Sequence, residues 1–278
     1  MTFWNGKSVA ITGAGSGIGK SLATVLANRG AQVWLSDVNA DAAEKAAREI
    51  GNGARFAGLD VTDAEAVADH IHGIAAEHGR IDAVFNNAGI GVGGDLSELN
   101  LAHFTRSLDV NVMGVVHGIL AAFPLMKAQG SGILANTASA AGLLSLPLMA
   151  PYTMSKHAVV GLSNALRFEA AEHNVQMNVL CPTAIETPLL DTEVAQEMGA
   201  EWRPDIRAYL TQIGGAPHPV DRFVAYALEQ VERNKGVIVA PFGARVRMRL
   251  ARLFPGAVER LTRSTYRAML ATRPSRPS

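Results

Sequence analysis

Short apolar runs alternate with longer amphipathic stretches along most of the chain. Ser8 to Thr12 is mostly apolar and reads as a buried strand. A glycine-rich turn follows, then helical spacing from Ser21 to Arg29. Gln32 to Ser36 is a second strand, Ala40 to Ile50 an alanine-rich helix and Ala54 to Leu59 a third strand. Thr62 or Asp63 can cap the next helix, which runs to about His78. Ile81 to Phe85 is a fourth strand, and one long helix is predicted over roughly Phe104 to Ala128. Gly132 to Thr137 is a fifth strand, Tyr152 to His173 a helix, Val175 to Leu180 a sixth strand, Pro219 to Arg233 a helix and Val237 to Ala240 a seventh strand. Strands that alternate with helices predict a seven-stranded parallel sheet covered on both faces, a doubly wound α/β fold of the Rossmann type. No linker or internal repeat divides it. The expected division is one domain over 1–244 and a basic, partly helical extension over 245–278.

Composition changes this picture in one place. With 48% hydrophobic and 18% charged residues, 278 residues can bury a large core, and a net charge of zero gives no general attraction to nucleic acid. No signal-peptide pattern or run of eighteen apolar residues stands out, and the lone Cys181 fits a reducing compartment. The expected location is therefore cytoplasmic. The exception is 245–278, which holds nine arginines and one acid, Glu259. With apolar residues at Val246, Leu250, Leu253, Phe254, Val258, Leu261 and Leu270, it predicts one or two amphipathic helices broken near Pro255-Gly256. Such a segment can pack on another subunit, close over a site or lie on an anionic membrane. Arg273 to Ser278 reads as disordered.

The chemistry-bearing residues fall at the carboxyl ends of the strands, where open α/β sheets bind ligands. Gly13, Gly15, Ser16, Gly17, Ile18 and Gly19 join the first strand to the first helix. Glycines let a backbone approach a pyrophosphate, and a helix N-terminus offers free N–H groups and partial positive charge. Asp37 ends the second strand. A carboxylate there can accept from both ribose hydroxyls and repels a 2′-phosphate, which favours NAD over NADP; the alternative is a cap for the next helix. Asp60 and Val61 end the third strand, where an acid can meet the adenine amino group. Asn87, Ala88 and Gly89 end the fourth, as a cofactor contact or a structural turn.

Tyr152 and Lys156 stand four apart at a helix start, on one face. Hydride transfer at a carbonyl carbon needs a proton moved at the oxygen, and a tyrosine can move it if its pKa is brought down by a nearby cation. Ser139, at the end of the fifth strand, can hydrogen-bond a substrate oxygen. Asn111, inside the long helix, is locally unfavourable there and suggests a polar task. The histidines show no metal-ligand spacing, so no metal is expected.

In these residues, their order and the thirteen-residue gap from Ser139 to Tyr152, the sequence resembles the short-chain dehydrogenase/reductase family over about residues 5 to 242. The resemblance implies that Tyr152 is the catalytic acid/base and that Ser139 orients the substrate oxygen. Lys156 would lower the Tyr152 pKa and bind the nicotinamide ribose, and Asn111 would hold a water of a proton relay. It also implies that Thr187 and the Ile185 backbone, after Pro182, meet the nicotinamide carboxamide. Thr183 replaces a glycine usual in the family, which puts the local backbone geometry in question. The expected partners are a small alcohol or ketone and further copies of the chain, as a homodimer or homotetramer. Leu143, Leu144, Leu146, Leu148 and Met149, with Leu189, Leu190, Met198, Trp202 and Tyr209 from the stretch after the sixth strand, suggest a hydrophobic substrate. Two other readings are an NADP-dependent 3-oxoacyl-type carbonyl reductase and a non-catalytic NAD-binding regulator.

Overall fold

The apolar runs become parallel strands because helices cover both of their faces. In the computed structural model, which describes residues 2–191, 202, 205–240, 244, 246, 248 and 253–273, the strands are β1 (Ser8–Thr12), β2 (Gln32–Asp37), β3 (Arg55–Gly58) and β4 (Ala83–Asn86). They continue as β5 (Gly132–Thr137), β6 (Val175–Pro182) and β7 (Val237–Ala240). All pair in parallel, in the order β3-β2-β1-β4-β5-β6-β7. The order reverses between β1 and β4, which opens a crevice at their carboxyl ends.

Helices α1 (Gly17–Asn28), α2 (Ala40–Ile50) and α3 (Ala64–His78) follow the first three strands. Asp63 caps α3 by accepting from the Ala66 N–H. One core, including Ile11, Leu22, Leu35, Phe85 and Leu228, lies on one face of the sheet, and another, including Val84, Ile119, Leu134 and Val179, on the other. Helix α1 starts at Gly17 rather than Ser21, so the glycine turn feeds straight into its first turn.

The single long helix expected over Phe104 to Ala128 is three pieces: α4 (Leu101–Leu108), a π-helical turn (Asp109–Met113) and α5 (Gly114–Gln129). Periodicity could not show this, because the apolar positions run through. The distortion surrounds Asn111, whose side chain is drawn out of the helix to other elements. By length and hydropathy, 101–129 also passes as a membrane span. Here it packs against α3 and β5 as a core helix.

Helix α6 (Ala150–Ala171) follows β5 after a 3-10 turn at Ala140–Gly142, with Pro151 in its first turn. Helices α7 (Ile206–Gly214), α8 (Val220–Glu232) and α9 (Pro255–Leu270) complete the chain. The expected break near Pro255-Gly256 is present: Leu253 is helical, Phe254 is not, and α9 starts at Pro255, where a first-turn proline has no N–H to lose. Arg273, expected to be disordered, is ion-paired with Glu98. Met198, Arg245, Arg247, Arg249, Leu250, Arg252 and 274–278 lie outside the described residues.

Beneath the site the strands are pinned by a buried polar ladder that hydrophobic pattern does not reveal. The Asn86 amide donates to Asn136 Oδ1 at 2.9 Å, and the Asn136 amide donates to Ser163 Oγ at 3.0 Å. A side chain at Gly118 would collide with Asn86, so that glycine makes room for the ladder. Asn136→Ala leaves a buried donor of Asn86 without its acceptor, and is expected to lower stability by about 2–3 kcal/mol in denaturant unfolding. A loss below about 0.5 kcal/mol would show the ladder to be idle.

Candidate active site

The glycine turn is held by its own chain before it can hold a ligand. Thr12 Oγ1 accepts from the Asn87 and Ala88 N–H groups, both at 3.0 Å. The Asn87 amide donates to the Thr12 and Gly13 carbonyls. Gly13 has φ +62°, and a Cβ there would lie 2.7 Å from Ala88 Cα. A Cβ at Gly19 would run into the Gly13 carbonyl oxygen. The β1 and β4 ends are thus packed backbone to backbone, which gives these glycines a steric reason independent of any ligand. Asn87 is a structural tie as well as a wall residue.

Asp37 does not cap α2. Asn39 does, accepting from the Ala42 N–H. Asp37 instead reaches back to the turn, where Oδ2 accepts from the Gly15 N–H at 2.9 Å. Asp60 accepts from the backbone and hydroxyl of Thr62, which holds its carboxyl below the usual range, helped by Arg106. Ser16 begins α1 in extended conformation without making a side-chain capping bond, and no acid occupies the first turn.

These residues line a cavity of about 310 Å³ that runs from Gly13, Ser16, Gly17 and Ile18 past Asp37, Asp60 and Val61 to Tyr152 and Lys156. Asn87, Ala88, Gly89, Pro182 and Thr187 are also in its wall. Gly15 and Gly19 are not, since their places are taken up by packing. Arg106, not singled out in the sequence, is in the wall too. The helix N-terminus, with an uncapped serine at one end and a carboxylate at the adenosine end, fits a dinucleotide.

A second cavity of about 550 Å³ adjoins it. Ser139, Leu144, Met149, Ile185, Leu190 and Tyr209 are among its lining residues, and the described lining includes no Asp, Glu, Lys or Arg. Ile185, expected at the carboxamide, faces this side; its backbone bridges His218. Thr187 Oγ1 donates to the Ile185 carbonyl at 3.2 Å and borders both cavities. Thr183 does not take the left-handed conformation that would call for glycine. The substitution therefore leaves the turn after β6 unstrained.

Tyr152 stands where the cavities meet and belongs to the wall of each. Ser139 lies beside its hydroxyl, and Ser139 Oγ accepts from the Ala141 N–H. Lys156 Nζ donates to the Thr137 carbonyl at 3.0 Å and lies 5.6 Å from the Tyr152 ring centre. Asn111 is buried behind them. Its amide oxygen accepts from the Ile90 N–H, and its NH₂ donates to the Ile90 carbonyl and to Ser155 Oγ. Ser155 in turn donates to the Tyr152 carbonyl. The helix asparagine thereby ties the turn after β4 to the first turn of α6. Ser155 was missed in the sequence, although it sits beside Lys156. A Cβ placed on Gly89 would lie 3.0 Å from Asn111 Oδ1 and 3.2 Å from Lys156 Nζ, so the glycine leaves a small polar gap between them.

The electrostatics depart from expectation in one respect. Burial pushes the Tyr152 phenol above its ordinary value, and the Ser139 hydrogen bond opposes this only in part. Lys156 is itself pushed down to about 8 by burial. The protein's own groups therefore do not produce the lowered phenol pKa expected from Lys156. Nearby, burial drives the Cys181 thiol up to about 12, which makes it unreactive.

Against known proteins, the family model for short chain dehydrogenases matches residues 7–198. The 2,5-dichloro-2,5-cyclohexadiene-1,4-diol dehydrogenase of Sphingobium indicum is 34% identical over 225 residues, 80% of this chain and 86% of that one. The cyclohexanol dehydrogenase of Acinetobacter sp. is 35% identical over 81% and 88%. A short chain dehydrogenase/reductase from Burkholderia phymatum, solved in complex with NAD, superposes with TM-score 0.82 at 28% identity, covering 100% of this chain and 99% of that one. A 3-ketoacyl-(acyl-carrier-protein) reductase from Brucella melitensis, complexed with NADH, gives TM-score 0.75 at 29% identity over 85% and 97%. The chain belongs to the short-chain dehydrogenase/reductase family. It is an oxidoreductase of the kind that uses a nicotinamide cofactor and acts on CH–OH groups.

The two buried groups give a pH signature. Unfolded, a lysine keeps its proton to about 10.5, but Lys156 keeps its own only to about 8. The unfolded chain thus binds more protons between these values, and stability rises with pH there. Tyr152 and Cys181 act oppositely: the folded chain holds the phenol proton above 10 and the thiol proton above 9, where the unfolded chain has lost them. The expected result is a rise in unfolding free energy from about pH 8 to 9, offset above 9 by Cys181, that Lys156→Met abolishes, read from denaturant curves at stepped pH. An identical rise in the variant would assign it elsewhere.

Proposed function

We propose that the protein interconverts a hydrophobic secondary alcohol and its ketone with NAD, Tyr152 acting as the acid/base. The observation that carries this reading is that Tyr152 forms part of both cavities, with Ser139 on the substrate side and Lys156 on the cofactor side. Bound NAD supplies the hydride acceptor. In the oxidation, Ser139 and Tyr152 receive the alcohol oxygen, and the Tyr152 phenolate takes its proton. Lys156, with the positive charge an oxidised nicotinamide would add when bound, would bring down a phenol pKa that burial alone raises. Lys156, in the wall of the cofactor cavity, would also hold the ribose. The gap beside Gly89, within reach of Asn111 and Lys156, has the partners a relay water needs.

The second cavity, whose described lining has no Asp, Glu, Lys or Arg, supports an apolar substrate, as do relatives named for cyclohexanol and a chlorinated cyclohexadienediol. A 3-oxoacyl-type reductase is the alternative. The Brucella structure carries NADH, so cofactor preference alone does not separate the two. The reading includes the division at 244/245 between a dinucleotide-binding domain and the basic extension. It also includes a homo-oligomer, supported by the exposed Leu101, Leu120 and Phe168 on α4, α5 and α6.

Asp37 lies in the cofactor cavity, and among the described residues the arginine in its wall is Arg106, on the Asp60 side. Wild-type protein is expected to oxidise apolar secondary alcohols with NAD in preference to NADP. Asp37→Ser should shift the ratio of kcat/KM values toward NADP by about 10–100-fold, since a like charge facing a phosphate is strongly unfavourable. An unchanged ratio would remove Asp37 as the selector.

A further inference from the structure

The C-terminal helix α9 carries its apolar side chains on one face and its arginines on the other. Ala257, Val258, Leu261, Thr262 and Thr265 follow helical spacing and line the larger cavity, together with Phe254 just before the helix. Arg260, Arg263 and Arg267 do not line it and are exposed. Neither the matched family model, which ends at 198, nor the residues assigned to chemistry above give this helix a task.

Its far end is tied down. Arg273 is ion-paired with Glu98, has Asp95 at 3.8 Å and places its guanidinium 5.4 Å from the Trp202 ring centre. The Trp202 N–H donates to Glu98 Oε2 at 2.8 Å. Glu98 and Asp95 lie in the loop after β4, which also approaches the catalytic helix, because the Gly94 N–H donates to the Leu148 carbonyl at 2.8 Å. Leu148 holds φ +62°, a backbone conformation unfavourable for leucine, four residues before Tyr152. Its side chain is buried against Tyr209 of α7 and Met269 of α9. The position of α9 is therefore fixed at the clasp and against the residues that lead into Tyr152.

We propose that the pocket-facing side of α9 is a distal apolar subsite for the non-reacting body of the substrate, and that Arg273 is the positioning residue that holds it in place. The ligand class is an uncharged, bulky alicyclic or aromatic alcohol or ketone, larger than a single ring. The cavity size lies within the range of sites that enclose ligands of that kind, and its described lining has no charged side chain to meet an acid, an amine or a phosphate. Facing its apolar side into the cavity, α9 is used for the site rather than for a membrane. This rests on the alcohol–ketone reading of the same site.

The test compares cyclohexanol with 4-cyclohexylcyclohexanol, using NAD. Ala257 is exposed on α9, so Ala257→Phe adds bulk to the subsite without overfilling the protein core. It is expected to lower the ratio of kcat/KM for the two-ring alcohol to that for cyclohexanol by about tenfold or more. Arg273→Ala should raise KM for the two-ring alcohol with little change in kcat, and Arg273→Lys, which keeps the charge but loses the planar stack, should fall between. An unchanged ratio in Ala257→Phe overturns the subsite. Equal losses for both alcohols in Arg273→Ala overturn the clasp and indicate general destabilisation. Deuterium exchange of the NAD-loaded wild-type protein, with and without 4-cyclohexylcyclohexanol, judges the subsite without turnover. Protection of the 257–265 amides supports it, and no protection refutes it. If wild-type protein oxidises neither alcohol, the alcohol–ketone reading falls while the exchange result still decides the subsite.

Discussion

A buried ammonium and a buried phenol, with no carboxylate among the described residues ion-paired to the lysine, set the terms for the rest of this structure. Lys156 is 3% exposed, and its recorded hydrogen bond goes to the Thr137 carbonyl at the end of β5. Holding a charge there is costly, which is why its pKa falls to about 8. The surrounding polar groups are arranged to bear that cost. Thr137 also donates to Asn87, Asn87 ties the glycine turn, and Asn111 clamps Ile90 and Ser155 on either side of the lysine. The π-helical turn at Asp109–Met113 surrounds that clamp. Removing water from Tyr152 and Lys156 disfavours the charged form of each, raising the phenol's pKa and lowering the ammonium's.

The strands, and the motifs at their ends, were legible because parallel strands buried on both faces leave continuous apolar runs. β1, β5 and β7 begin and end where the pattern places them. Tyr152, Lys156 and Ser139 converge because each sits at the carboxyl end of a strand or the start of the next helix. What escaped the sequence was whatever depends on partners distant in the chain. Asp37 was open to reading as a helix cap, yet it binds the Gly15 N–H, twenty-two residues away. Asn111 was recognisable as a misfit, but its partners Ile90 and Ser155 were not. Gly15 and Gly19, expected at the cofactor, also leave no room for a side chain against Ala42 and Asp37 and against the Gly13 carbonyl, a packing role that spacing does not reveal. Pro255-Gly256 marked the break between helical Leu253 and α9 correctly, because proline is tolerated in a helix's first turn and not in its interior.

Function follows from the division of labour between two adjoining spaces. One is a crevice at the point where strand order reverses, polar at the phosphate and ribose ends. The other is an apolar chamber closed by α7 and α9. Family membership is secured by residues 7–198 and accounts for the first space. About half of the described lining of the second comes from beyond that span, from α7, α9 and the residues around them.

The account stands most directly on one measurement: a single turnover by Tyr152→Phe protein saturated with NAD and an apolar secondary alcohol. Phenylalanine keeps the packing of the ring and removes only the hydroxyl. The expected outcome is NAD affinity equal to that of the wild type, with hydride transfer slowed by about 100–10,000-fold. Transfer at the wild-type rate would contradict the assignment of Tyr152 as the group that moves the proton.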